Sequence, residues 1–182
     1  TIQIHPIRVE DFRFLAFSDA SFASKGNNNS QTGILIMGTH KDISTNTSCP
    51  VNPLAWGSKK IQRVVTSTLA AETVSLNTVL DHLSWLRLCW AWMLDSKINW
   101  KQPTTTLRNL PETYSTATIK SQNFPDSLAA TDCKSLYDLV TRTAMPNCSE
   151  FRTQLNARAI KDLLAEGVSL RWRSEEHTSE LQ

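Results

Sequence analysis

The sequence predicts an α/β domain in which helices pack on a mixed β-sheet. Three β-rich segments come first and are separated by turn signals. A long stripe of apolar residues at steps of three and four follows, which is typical of a helix. Two further short strands are then separated by helices, so the predicted order is β-β-β-α-β-α-α-β, in two or three layers.

The composition is that of one ordinary globular domain. The chain has 182 residues, of which 40% are hydrophobic and 20% are charged, and its formal net charge is +2. The most apolar window, residues 83–94, is interrupted by Arg87 and is too short for a membrane span. The cysteines are scattered without a C-x-x-C pair, which argues against a zinc site and favours free thiols in a reducing compartment.

The two ends of the chain are treated separately from the domain. Because the chain starts at Thr1 rather than at an initiator Met, we expect it to be part of a longer protein. The start has no signal-peptide layout. We expect residues 1–11 to be a connector and residues 12–172 to be the domain. The last residues, RSEEHTSELQ (173–182), resemble a translated sequencing-library adapter, so we interpret Trp172 as the last native residue. This tail contributes one Arg and three Glu, or −2, which leaves the rest at +4.

The first three strands are predicted from alternation and turn residues. RFLAFSD (13–19) is the first strand, and the Asn-rich segment 22–31 is a turn. Segment 32–40 is the second strand, and a polar loop leads to the third strand at 53–60, which ends in a basic turn. Short connections between successive strands predict an antiparallel meander.

The remaining elements follow from helical periodicity and helix-end signals. The apolar stripe predicts a long helix from Leu69 to Met93, with Ser67 or Thr68 as its N-cap. Its tryptophans, Trp85, Trp90 and Trp92, are expected to pack in the core or against another domain. After a long loop or insertion at 95–127, the predicted elements are a strand at 126–132, helices at 133–143 and 150–167, and a strand at 168–172.

Three acids stand in apolar surroundings at strand ends or on the helical stripe. Asp19 ends the first strand, Asp132 ends the fourth, and Glu72 lies between Leu69 and Leu76 on the long helix. Carboxylates held together repel one another unless cations neutralise them, and carboxylate oxygens are preferred ligands of Mg²⁺ and Mn²⁺. Their order and placement predict a metal site for phosphoryl transfer.

Each acid taken alone also has a simpler interpretation. Asp132 is suited to cap the helix that follows it, and Asp19 is suited to a turn after its strand. Glu72 alone fits a partly solvated edge of its helix. The combination of the three favours the metal site.

Several segments resemble the ribonuclease H domain of copia-type retrotransposon polyproteins. The matching segments are FSDASFAS, SQTGILIMG, PLAWGSKKIQRVVTSTLAAET, TDCKSLYDLV and RAIKDLLAEGVSLRW. The resemblance covers most of residues 12–172. It implies a ribonuclease H-like fold with a five-stranded mixed sheet flanked by helices, in which the C-terminal helix of the family pattern is missing here.

The resemblance also implies an activity and its components. The expected reaction is cleavage of the RNA strand of RNA–DNA hybrids, with two Mg²⁺ or Mn²⁺ ions held by Asp19, Glu72 and Asp132 as catalytic and metal-binding residues. The expected partners are the hybrid and the reverse-transcriptase portion of the same polyprotein, with no membrane. The expected location is the cytoplasm, a virus-like particle or the nucleus.

A basic cluster precedes the long helix. The cluster consists of Lys59, Lys60 and Arg63, just before the helix that carries Glu72. Basic side chains beside a helix N-terminus are suited to bind a phosphate of the hybrid backbone. A solvated basic turn would have the same composition.

Two other functions remain open from the sequence. The family pattern has a fourth acid on its missing C-terminal helix, so a catalytically impaired remnant that serves as a structural or nucleic-acid-binding module is one alternative. Another metal-dependent nuclease or a transposase on the same fold is the second.

Overall fold

A computed structural model of the chain describes residues 3–22, 30–45, 48–94, 126–144 and 146–173. The described strands and α-helices follow the predicted order. The strands are β1 (Phe12–Ser21), β2 (Gln31–His40), β3 (Val51–Lys60), β4 (Ser127–Thr131) and β5 (Val168–Trp172), and the helices are α1 (Thr68–Leu94), α2 (Lys134–Thr141) and α3 (Phe151–Ala165). Short 3-10 helices occur at Val9–Asp11 and at Lys41–Thr45, the second within the stretch predicted as a polar loop.

The five strands form one mixed sheet in the order β3-β2-β1-β4-β5. The β1–β2 and β2–β3 pairs are antiparallel, which confirms the predicted meander, whereas β1–β4 and β4–β5 are parallel. β1 continues two residues beyond Asp19, the predicted end of the strand, because Ala20 and Ser21 still pair with Thr32 and Gln31. Asp19 therefore lies inside a paired strand.

The described helices pack on one face of the sheet, so the described residues form two layers. Alternate residues of β1 point to this face, where Phe12, Phe14 and Ala16 are buried. They share one core with residues of α1, α2 and α3, among them Leu83, Leu136 and Ile160. The sheet face that carries Asp19 is opposite to this core, since Asp19 is odd-numbered and exposed.

α1 packs along β1, and different contacts stabilise its two ends. The Ser67 hydroxyl accepts a hydrogen bond from the Ala70 N–H at 3.1 Å, which confirms Ser67 as the N-cap. Near the other end, the Trp90 ring stacks on Phe12 with 4.1 Å between ring centroids. Trp90 is thus a core residue as predicted, whereas Trp85 and Trp92 are exposed on α1.

A buried arginine joins α1 to the end of α3. Arg87 is 7% exposed, and its guanidinium donates a hydrogen bond to the Glu166 carbonyl at 2.9 Å. This carbonyl belongs to the C-cap residue of α3, which otherwise lacks a helical donor. Gly167 follows with φ of +96°, as expected for the glycine predicted to end this helix.

Some predicted features lie outside the described residues. They are most of the Asn-rich turn predicted at 22–31, the long loop predicted at 95–127 except for its last residues, and the adapter-like tail after Arg173. None of the described helices has the length and apolar character that a membrane-spanning segment needs.

Replacing Phe14 by Ala is expected to lower the free energy of unfolding by about 3–5 kcal/mol. Phe14 is 2% exposed and contacts Phe12 and Trp90 edge-on, so the smaller side chain leaves a cavity between β1 and α1. Urea unfolding followed by circular dichroism measures the change. Phe151→Ala is the matched control, because Phe151 is 69% exposed and its loss should cost less than about 0.5 kcal/mol. Equal losses in both variants would contradict this core.

Candidate metal centre

Parallel pairing of β1 and β4 brings Asp19 and Asp132 together. Phe17 lies opposite Ala130 in this pair, and each acid is two residues further along its strand direction. The same register therefore places both carboxylates side by side at the carboxyl ends of neighbouring strands, on the same face of the sheet. Both residues are exposed.

Glu72 reaches the same place from α1. It is the fifth residue of the helix, next to Ala70 and Ala71, which are fully buried and allow the helix to approach the sheet closely. Glu72 itself is only 6% exposed. The apolar spacing around it therefore predicted its burial correctly.

The three acids form one compact cluster. One carboxylate oxygen from each of Asp19, Glu72 and Asp132 lies within 4.8 Å of the others. This spacing is close enough for the three side chains to share ligands of the same cations.

The cluster makes ionisation of Glu72 unfavourable. Burial raises the pKa of Glu72 to about 7, and the negative charges of Asp132 and Asp19 add to this effect. The Ala20 N–H donates a hydrogen bond to the Glu72 carboxylate and acts in the opposite direction, but it does not compensate. At neutral pH the site therefore favours a proton or a cation beside Glu72.

The donor set fits a hard divalent cation. The Glu72 Oε2 atom is buried, and no described residue provides a hydrogen-bond partner for it. An unpartnered carboxylate oxygen among three acids has the charge and the ligand chemistry that Mg²⁺ and Mn²⁺ require. Asp19, Glu72 and Asp132 are the residues that would hold these ions.

The simpler interpretations of the three acids are wrong. Asp132 does not cap α2, whose N-cap residue is Cys133 and which has no side-chain capping bond. The Cys133 N–H instead donates to the Thr131 hydroxyl at 3.2 Å. Asp19 lies within β1 rather than in a turn, and Glu72 is buried rather than at a solvated edge.

The predicted basic cluster lies at the same end of the sheet as the acids. Lys59 and Lys60 are exposed at the end of β3, opposite Thr32 and Gln31 of β2. Within the described ranges, neither they nor Arg63 takes part in a salt bridge. Their positive charge is therefore available to a polyanion, and phosphate binding by these residues stays a prediction.

An open groove of about 360 Å³ adjoins Asp19 and Asp132. Its surface is largely apolar, and Asp19, Asp132 and Arg173 are its charged lining residues. The lining residues from the strands are Phe17, Ser18, Gly33, Ile34, Leu35, Gly57, Ala130 and Thr131. Arg173 is the first residue of the adapter-like tail, and sequence patterns did not predict the groove, because it is formed by strands distant in sequence.

Replacing Glu72 by Gln is expected to stabilise the metal-free protein at pH 8, by about 2–3 kcal/mol. The pKa of Glu72 is about 7 in the fold against an ordinary 4.5, so ionisation opposes folding. The resulting loss in the free energy of unfolding is absent at pH 4, increases between the two pKa values and reaches its full size above pH 7. Urea unfolding with a chelator at pH 4 and pH 8 measures it.

The control for this measurement is Glu10→Gln, since Glu10 is exposed and distant from the cluster. It should change stability by less than about 0.5 kcal/mol at either pH. A Glu72→Gln protein that is less stable than the unaltered chain at pH 8 would contradict the unfavourable ionisation.

Comparison with known proteins identifies the fold. No protein-family model matches the sequence, and no curated protein does. Among solved structures, ribonuclease H1 from the archaeon Halobacterium salinarum NRC-1 matches with a TM-score of 0.51 and 14% identity, over 92% of this chain and 89% of that chain.

Two further solved structures give the same result. LC11-RNase H1, isolated from compost by a metagenomic approach and solved with an RNA/DNA hybrid, matches with a TM-score of 0.51 and 13% identity, over 92% of this chain and 89% of that one. An N-terminal ribonuclease H domain from Mycobacterium tuberculosis, solved as a fusion with maltose-binding protein, matches with a TM-score of 0.50 and 12% identity, over 92% and 86%. The predicted architecture is therefore confirmed: this chain has the ribonuclease H fold.

Proposed function

We propose that the chain is a metal-dependent endonuclease that cleaves the RNA strand of RNA–DNA hybrids. The observation that supports this most is the cluster of Asp19, Glu72 and Asp132 within 4.8 Å on a ribonuclease H fold. The solved relative LC11-RNase H1 carries an RNA/DNA hybrid, which makes such a hybrid the first substrate to test.

The chain's own residues have separate roles in this proposal. Asp19, Glu72 and Asp132 bind two Mg²⁺ or Mn²⁺ ions, and these cations neutralise the Glu72 carboxylate, whose ionisation is unfavourable in its buried position. When bound, such ions supply Lewis-acid stabilisation of the charge that develops at the phosphodiester. Lys59, Lys60 and Arg63 bind backbone phosphates and set the hybrid's position relative to the acids.

The proposal extends to the larger protein. The sequence segments that resemble copia-type polyproteins make the reverse-transcriptase portion of the same polyprotein the expected partner. The exposed side chains Trp85 and Trp92 on α1 provide an apolar contact for it, since large exposed aromatic residues are enriched at protein interfaces. The corresponding location is the cytoplasm, a virus-like particle or the nucleus.

One observation favours the alternative function, a ribonuclease H-fold module that binds nucleic acid without cutting it. Among the described residues the metal cluster contains three acids and no fourth. Binding without cleavage in the presence of Mg²⁺ or Mn²⁺ would support this alternative over the endonuclease.

Asp19→Asn is expected to reduce cleavage to background while hybrid binding persists. The substitution keeps the shape of the side chain but removes a charged ligand from the cluster, so cation binding weakens and the contacts to phosphate do not. The 182-residue chain is incubated with labelled RNA–DNA hybrid and Mg²⁺ or Mn²⁺. Asp162→Asn, an exposed position on α3, is the matched control with unchanged cleavage. Full activity in Asp19→Asn would refute the role of the acids.

Replacing Lys59 and Lys60 by Gln is expected to weaken hybrid binding and its salt dependence. If each lysine contacts one phosphate, the slope of log affinity against log salt concentration should decrease in magnitude by about 2. Fluorescence anisotropy at several salt concentrations measures this slope.

Lys41→Gln is the control for the lysine measurement, because Lys41 pairs with Asp11 at 2.7 Å at the opposite end of the sheet. Its salt slope should equal that of the unaltered chain. An unchanged slope in the double lysine variant would show that the basic cluster is a solvated turn.

A further inference from the structure

The peptide unit between Asp19 and Ala20 is held by α1 at both of its polar groups. The Asp19 carbonyl accepts a hydrogen bond from the Ser75 hydroxyl at 2.7 Å. The Ala20 N–H donates to the Glu72 carboxylate. Because a trans peptide directs its C=O and N–H in opposite directions, the helix contacts this peptide at two separate points. Glu72 and Ser75 are three residues apart, on neighbouring turns of the same helix face.

The Thr32 hydroxyl orients the Ser75 hydroxyl. Thr32 of β2 has its Oγ1 atom 2.6 Å from Ser75 Oγ. A serine hydroxyl has one hydrogen, and Ser75 gives it to the Asp19 carbonyl, so Thr32 is the donor to Ser75. The Gly33 carbonyl, at 3.4 Å from Ser75 Oγ, is the more distant acceptor. The hydrogen bonds therefore run from Thr32 through Ser75 to the backbone of Asp19 and connect β2, α1 and β1.

These hydroxyls lie in the interior. Ser75 is 0% exposed and Thr32 is 7% exposed, so little water competes for their hydrogen bonds. In such surroundings the loss of one partner leaves another polar group unsatisfied, which is unfavourable. The contacts between α1 and the Asp19–Ala20 peptide are therefore strong enough to determine how these two segments lie relative to each other.

Ser75 differs from the other hydroxyl residues of α1. The hydroxyls of Thr73 and Thr78 donate to carbonyls four residues earlier in the same helix, at 2.6 Å and 2.8 Å. This is the ordinary local bond of threonine in a helix, and it carries no information about the sheet. Ser75 instead donates across to β1, one turn from the buried Glu72.

We propose that Ser75 and Thr32 are positioning residues of the metal centre, which hold the Asp19–Ala20 peptide against α1 and thereby fix the spacing between the Asp19 and Glu72 carboxylates. Metal ligands must be held within about 0.5 Å of their working geometry. Side chains that orient the ligands typically contribute 10- to 100-fold in metal affinity. The metal-binding part of this inference rests on the proposed function, whereas the backbone contacts do not.

The test compares two isosteric substitutions. Thr32→Val removes the hydroxyl that donates to Ser75, and Thr73→Val removes a buried hydroxyl that bonds only within α1. Thr32→Ser keeps the hydroxyl and serves as the rescue variant, and Ser75→Ala removes the central donor. The readouts are hydrogen exchange of the Ala20 amide without metal, Mn²⁺ affinity by calorimetry and hybrid cleavage.

Thr32→Val and Ser75→Ala are expected to speed exchange of the Ala20 amide and to weaken Mn²⁺ binding about 10- to 100-fold. Thr73→Val and Thr32→Ser should bind Mn²⁺ within about threefold of the unaltered chain. Equal loss of Mn²⁺ affinity in Thr32→Val and Thr73→Val would overturn the proposal, because the cause would then be general destabilisation. Unaltered Mn²⁺ affinity in both Thr32→Val and Ser75→Ala would overturn it too.

The design separates failure of this inference from failure of the proposed function. If the unaltered chain neither binds Mn²⁺ nor cuts the hybrid, the proposed endonuclease function is refuted, and with it the metal-binding part of this inference. Faster exchange of the Ala20 amide in Thr32→Val would still support the backbone contacts, and unchanged exchange would overturn them.

Discussion

Repulsion between three carboxylates is the constraint on which the rest of the site depends. The fold brings Asp19, Glu72 and Asp132 within 4.8 Å and buries one of them. Folding must therefore supply free energy to hold these charges together, and the shared core beneath the sheet is the source of it. The arrangement that lowers the stability of the fold would also produce the cation affinity of the proposed metal site, because a bound cation would remove the repulsion. Stability and the proposed metal affinity would then be two consequences of the same electrostatic energy.

The sequence was sufficient to predict the architecture because its signals are local. Alternation and apolar periodicity identified the five strands and three helices in order, and the N-cap at Ser67 and the glycine at 167 were visible as single residues. The number of layers was not predictable, because it depends on which sheet face the helices cover. Strand ends were less certain for a similar reason: β1 extends past Asp19 only because β2 supplies partners for Ala20 and Ser21.

The acids of the site could be found from the sequence, but the residues that hold them could not. A carboxylate inside an apolar pattern stands out, and the burial of Glu72 followed from its helical spacing. Ser75 and Thr32 have no such signal, since a hydroxyl in a helix or strand is equally consistent with local bonding or solvent. Their roles depend on the distance between β2 and α1, which only the folded chain determines. The exposure of Trp85 and Trp92 likewise depends on which side of α1 faces the sheet.

The contacts of α1 at both ends of β1 have a consequence for substitutions far from the acids. From Glu72 to Trp90 the helix rises about 27 Å, and from Phe12 to Asp19 the strand advances about 23 Å, so one rigid element connects the aromatic contact to the acid. A volume change at the Phe12–Trp90 stack would shift the helix along the strand and displace Glu72. A substitution in this distant aromatic pair would therefore change the geometry of the acid cluster while every acid is still encoded, so the presence of the three acids in a related sequence is an insufficient criterion of an intact cluster.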